Sequence, residues 1–279
     1  MRSLLFSLAL AALAASLGGS ASAQRPIEWE PLPGLRPFVP NGARVVGFVP
    51  GEGGGFRVVA GIEGDLAEWD EATQTWELLC VPTHCIADAI AIRDSVVMTG
   101  SLAGPGAGGA LSLDGGRTWA FDVFDAPTGD NIAALLWSAH PDTDGSLLVG
   151  QSFRLFLGRE GTYVELGLTG GQVEAIAEVP PSAALPGGRV LAGVWNGLSL
   201  SDDGGRTFRS SNVYRQGGLI GTSIAVHPDP AHPYGAVAYA AVTLAGEDPP
   251  VTALFRSDDG GATWAETARM ASGGYGITR

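Results

Sequence analysis

The chain has 279 residues, a net charge of −13 and 45% hydrophobic residues. Its 16 basic residues are all arginine, set against 29 carboxylates. Without lysine there can be no lysine Schiff base, lysine general base or Walker-type phosphate loop, and without a basic stripe there is nothing to meet a nucleic-acid backbone.

Residues 1–23 read as a secretory signal: Arg2 supplies the positive start, Leu4–Leu17 the apolar run, and Ala21-Ser22-Ala23 a cleavage site before Gln24. The run is too short and too rich in Ala and Ser for a good membrane span. The expectation is an exported, soluble, monomeric protein in the periplasm, at the cell surface or outside the cell. Residues 24–279 then form one domain. The stretch Ile27–Leu32 resembles a lone outer strand.

From residue 41 a unit recurs. Thr75-Trp76 closes the first copy. The second closes on Ser112-Leu-Asp114-Gly-Gly116-Arg-Thr118-Trp119, the third on Thr162-Tyr163. The fourth closes on Ser201-Asp-Asp203-Gly-Gly205-Arg-Thr207-Phe208 and the fifth on Ser257-Asp-Asp259-Gly-Gly261-Ala-Thr263-Trp264. The five threonines stand 43, 44, 45 and 56 residues apart. The extra length of the last unit is an insert around Ala245–Val251. Each unit reads as short strands separated by Gly and Pro. In the fourth these are Val173–Val179, Gly188–Val194, Gly197–Ser201 and Thr207–Val213; in the fifth, Ser223–Val226, Gly235–Val242, Ala253–Ser257 and Thr263–Met270. Four strands in about 44 residues is the period of a propeller blade. The predicted fold is therefore all-β, a β-propeller of four-stranded antiparallel blades at about 41–80, 86–124, 131–167, 172–214 and 221–270.

The repeated phrase sits between the third and fourth strands of its blade. Its glycines permit positive φ, its Asp accepts turn N–H groups, its Ser and Thr add hydroxyl bonds, and its aromatic needs a neighbouring blade to bury it. His140-Pro-Asp142 and His227-Pro-Asp229 recur at matching positions, which marks a turn between first and second strands rather than a catalytic histidine.

Ser-x-Asp-x-Gly-x-Thr-aromatic, present three times in full, resembles the Asp-box or BNR-repeat family over about residues 41–270. That family includes sialidases, xyloglucan hydrolases, sortilin-type receptors and photosystem II assembly and stability factors. The resemblance implies that the boxes are structural, and that ligands meet the opposite face, made by the second-to-third and blade-to-blade connections. On that face the best cluster is Trp195-Asn196 with Tyr214-Arg215-Gln216, plus Arg154 on the preceding blade. Aromatic and amide groups beside arginine suit a sugar or a peptide.

A sialidase would need an arginine triad, a tyrosine–glutamate pair and an acidic aspartate. Phe56-Arg57-Val58-Val59 resembles the first sialidase arginine phrase, but aligns better with Gly188-Arg189-Val190-Leu191, which makes Arg57 a blade-edge residue. No tyrosine has a well-placed glutamate. Cys80 and Cys85 enclose four residues and in an exported protein are expected to form a disulfide. With His84 alone they make a poor zinc set, and the boxes lack the closing acid of a calcium loop, so no metal or cofactor is expected. The leading reading is a non-catalytic propeller that binds a protein or carbohydrate polymer; the alternative is a secreted glycoside hydrolase of sialidase or xyloglucanase type.

Closure has two solutions. Either five blades close with residues 27–32 as an extra edge strand, or the sequence stops inside a sixth blade. Unpaired edges favour the second and predict a gap between last and first blades.

Overall fold

A computed structural model describes residues 43–51, 55–62, 65–79, 87–100, 109–120, 132–140, 145–159, 162–168, 171–214, 219–244 and 251–271. The signal, Ile27–Leu32 and the Cys80–Cys85 pair lie outside the described residues. Among the described residues there is no helix, hence none long and apolar enough to cross a membrane.

The strands fall into five antiparallel sheets, each following the chain. The first holds β1 (Ala43–Pro50), β2 (Phe56–Ile62), β3 (Asp65–Asp70) and β4 (Thr75–Leu78). The second holds β5 (Ala89–Arg93), β6 (Val96–Gly100) and β7 (Ala110–Ser112), and Ala120 bridges back to Leu111 in the place of a fourth strand. The third holds β8 (Ile132–Trp137), β9 (Leu147–Gln151), β10 (Leu155–Arg159) and β11 (Thr162–Leu166). The fourth holds β12 (Val173–Val179), β13 (Arg189–Val194), β14 (Gly197–Ser201) and β15 (Arg209–Tyr214). The fifth holds β16 (Leu219–Pro228), β17 (Ala236–Leu244), β18 (Val251–Ser257) and β19 (Ala265–Ala271). These are the five antiparallel blades that the repeat predicted, arranged in a β-propeller ring.

Two boundaries differ from the sequence reading. The fourth strands of the last two blades begin at Arg209 and Ala265, two residues after the box threonine. The threonine amide and hydroxyl are tied back to the box aspartate, so they close the turn instead of joining the ladder. The innermost strand of the last blade is also longer than expected, ten residues from Leu219.

Apolar layers between blades hold the ring together. Val49, Val59 and Leu66 of the first blade meet Ala87 and Val97 of the second. Met98 packs with Ile132, Val149 and Phe156 of the third. Leu148, Leu155 and Leu166 meet Val173, Val190 and Ala192 of the fourth. Leu191, Leu198 and Leu200 meet Ala238, Ala240, Val242 and Trp264 of the fifth. β13 and β17 are buried along their whole length because they lie in the middle of a blade with an apolar layer on each side. The inner strands touch in the order β1, β5, β8, β12, β16; among the described residues no contact of similar extent returns from β16 to β1.

Close approach of blades dictates glycine at the end of the second strand. A Cβ on Gly150 would stand 2.7 Å from Val173 Cγ1, and one on Gly193 2.5 Å from Thr222 Cγ2. Gly61 and Gly100 face Ala87 and Ile132 in the same way. By strand pairing the fifth blade has Ala241 at this position, opposite Leu254 as Gly193 is opposite Leu198.

Candidate functional site

Both ends of the propeller carry turns, and their chemistry differs. At one end lie the three boxes. Ser112, Ser201 and Ser257 are each 1% exposed, and each hydroxyl accepts from the second box glycine N–H at 2.7–2.8 Å and donates to the box carboxylate at 2.7–2.8 Å. The other carboxylate oxygen takes the threonine hydroxyl at 2.6 Å in all three. The two glycines have φ between +67° and +94°, which a β-carbon would strain. Trp119 and Trp264 donate Nε1 to the carbonyls of Gly116 and Gly261 at 3.0 Å. Phe208 has no such donor.

These carboxylates are occupied by their own turns. Hydrogen bonds from the Thr118 side chain and amide, and from Ser112, hold Asp114 well below the usual carboxylate range. Partial burial alone would raise Asp203 and Asp259, but the donors of Thr207 and Ser201, and of Thr263 and Ser257, hold both below it. In the degenerate first box Asp70 is lowered by the Thr73 hydroxyl and the Ala72 amide.

The boxes also join blades. Buried Arg189 donates to Asp202 at 2.5 Å and to the carbonyls of Asp259 and Gly260, in the next box, at 3.0 and 2.9 Å. Arg57 does the same for the first pair of blades, bonding Glu68 and the Gly115 carbonyl. The alignment of Arg57 with Arg189 is therefore a real equivalence: both are interblade clamps. Asn212 adds a two-way amide bridge to the Trp264 backbone, at 2.9 and 2.8 Å. A cavity of about 200 Å³ opens at this end beside Asp202, Asp203, Phe208 and Arg209, but Asp202 is already held low, partial burial being outweighed by Arg189 and Arg209.

At the other end, tight turns display different groups. The β9–β10 turn is closed by the Gln151 amide on the Arg154 carbonyl at 2.8 Å, with Gln151 itself 1% exposed. Phe153 stands at its tip, 74% exposed. Arg154 forms a loose pair with Glu165 at 3.7 Å, both side chains about half exposed. The equivalent turn of the next blade is Trp195-Asn196, both half-buried. The Trp195 amide donates to the Gln172 carbonyl at 2.9 Å, and its Cβ lies over Gly171, whose φ of +101° and lack of a side chain allow the approach. Tyr214 pairs with Gly197 through the backbone, at the same end of the blade. Its side chain, Arg215 and Gln216 lie outside the described residues. Among the described residues no hydrogen bond or ion pair joins Arg154 to Trp195 or Asn196.

Sequence reasoning had passed over Phe153 and Asn212. Phe153 reads as one more apolar residue near a strand end; only the turn geometry shows it facing outward. Asn212 had no signal, because its partner is 52 residues away. His140 lies in the turn between first and second strands, at 4% exposure, whereas His227 is still within β16 and pairs with Val237, so the turn of the fifth blade begins only after Pro228.

No family model matches the chain, and no curated protein matches it. Solved structures do. A GH74 enzyme from Niastella koreensis aligns with a TM-score of 0.58 at 18% identity, over 82% of this chain and 37% of the enzyme. An ancestral GH74 enzyme aligns with a TM-score of 0.57 at 14% identity, over 86% of this chain and 32% of its own. The extracellular domain of a putative one-component system from B. thetaiotaomicron gives 0.55 at 11% identity, over 85% and 29%. What they share is the propeller. The chain spans about a third of the length of these proteins, and at such identities the likeness is one of fold.

Proposed function

We propose that this protein is an exported, non-catalytic β-propeller that binds a protein or a polymer through the face carrying Arg154, Trp195 and Asn196. The reading is supported above all by the contrast between the two ends. The box carboxylates are occupied by donors of their own turns, whereas the described turns at the opposite end, closed by backbone hydrogen bonds, carry exposed or half-buried aromatic, amide and guanidinium groups. Fixed turns with aromatic and arginine side chains suit recognition at little cost in ordering. Export rests on residues 1–23, with a Cys80–Cys85 disulfide expected in that setting; intact mass before and after reduction checks the bond, and two free thiols in protein from the exporting compartment would refute it.

The test is a screen of aryl glycosides, sialyl substrates and soluble glucans, run beside affinity capture from the native envelope fraction. The expected result is a captured partner, reduced by Trp195→Ala, with no turnover. Turnover that disappears on changing a carboxylate of the loop face would replace this reading by the glycoside hydrolase.

A further inference from the structure

Phe153 is a large apolar side chain held in water by a closed turn. The Gln151–Arg154 hydrogen bond and the buried Gln151 side chain fix its base, and among the described residues no aromatic ring covers it. Phe56 is as exposed, at 74%, but lies at the opposite end and meets Phe48 edge-on at 6.5 Å. Phe153 also has a counterpart, since the next blade places Trp195 at the equivalent turn. Beside it stands Arg154, whose only described ion-pair partner, Glu165, is 3.7 Å away and 56% exposed. Such a pair contributes little in water, so a better-placed carboxylate can take the guanidinium in a bidentate bond.

We propose that a protein partner docks over the third and fourth blades with Phe153 as its apolar anchor and Arg154 as the contact for a partner carboxylate. This deepens the binding reading above and rests on it. The occupant is an apolar protein surface flanked by Asp or Glu. Local charge complementarity selects that class: Arg154 follows Phe153 directly in the chain and is only loosely paired with Glu165, so it gives a ligand's negative group a defined place. Aromatic and arginine side chains are the residue types that carry most of the energy in protein interfaces. Trp195, half-buried, would flank the anchor and exclude water from it.

Two synthetic twelve-residue peptides probe this on the whole protein, one alternating Phe and Leu with Asp, the other with Arg in place of Asp; hydroxyethylcellulose is the neutral glucan probe. The acidic peptide is expected to bind. Phe153→Ala and Arg154→Glu should each weaken it by about tenfold or more. Arg154→Glu should also turn the preference toward the Arg peptide, and Phe56→Ala should change nothing. All three sites are exposed or half-exposed, so unchanged melting temperatures will show that the variants are folded. Binding of neither peptide, equal binding of both, or indifference to Phe153→Ala overturns the proposal. If hydroxyethylcellulose binds instead and loses affinity in Phe153→Ala, the anchor meets sugar; the proposal then fails while the non-catalytic binding reading stands. Glycan turnover removes that reading itself.

Discussion

Replacing Gly193 with alanine puts a carbon 2.5 Å from Thr222 Cγ2, 3.0 Å from Thr222 Cβ and 3.4 Å from Ala175 Cβ. The first two distances are too short for carbon contacts, and Thr222 lies on the innermost strand of the next blade, where it is 6% exposed. It can yield only by moving two packed blades apart. Overpacking of this kind costs about 1–3 kcal/mol, or a fall in melting temperature of roughly 2–4 °C per kcal/mol for a domain of this size. The cause can be isolated, because Thr222→Ala deletes the crowding methyl and a hydroxyl that has no partner among the described residues. Thr222→Ala alone should be mild, and Gly193→Ala with Thr222→Ala should recover most of the loss, a coupling of about 1–2 kcal/mol. Urea unfolding of the four proteins in the cycle measures it. Strict additivity, or a Gly193→Ala protein as stable as the parent, would refute the argument that blade approach requires this glycine. Gly61→Ala should be worse, because there the new carbon meets the backbone carbonyl of Ala87, which cannot rotate away.

Phe208→Trp should stabilise the fourth box by about 0.5–1.5 kcal/mol, by giving the Gly205 carbonyl the indole donor that the other two boxes have; unchanged stability, with Trp264→Phe also neutral, would show that this bond contributes nothing. Arg189→Ala should cost about 2–4 kcal/mol, since it strands two carbonyls at a blade junction and leaves Asp202 with Arg209 alone, and Arg189→Lys should recover little because one ammonium cannot span all three acceptors. The box aspartates have folded-state pKa values below the unfolded value of about 3.9, so their contribution is fully present above that pH and is lost as pH falls through the lowered values. Melting temperature should therefore drop below about pH 4, and the drop should shrink in Asp203→Asn and Asp259→Asn; an equal drop in those variants would assign the acid sensitivity to other carboxylates. Asp203→Ala should lower stability by about 1–2 kcal/mol and leave peptide binding at the loop face unchanged, so a stable variant that no longer binds would contradict the separation of the two faces.

The repeat was legible because box chemistry is local. Ser201, Asp203, Gly205 and Thr207 find their partners within four residues of one another, so their spacing alone specifies the turn. The equivalence of Arg57 and Arg189 was legible too, since both open a second strand of the same pattern. What each arginine grips was not: Arg189 reaches carbonyls 70 and 71 residues away. The strand boundary after each box was misplaced for a related reason. Thr207 and Thr263 have the β-branched form of strand residues, but the aspartate holds them in the turn.

The candidate site divides along the same line. Arg154, Trp195 and Asn196 could be assigned to one end of the ring from blade order, because successive second strands run in the same direction and their turns fall together. Whether a side chain on such a turn is covered depends on the neighbouring blade, and that is set by packing between residues distant in sequence. Gly171 leaves room for Trp195 to settle against the segment that leads into β12. Among the described residues no glycine does so for Phe153, which is 74% exposed. By itself the sequence determined the repeat, the blade topology and the box turns, all of which rest on contacts a few residues apart. Only the tertiary structure decided which glycines the blades crowd, which arginines clamp them, and which aromatics are left facing the solvent.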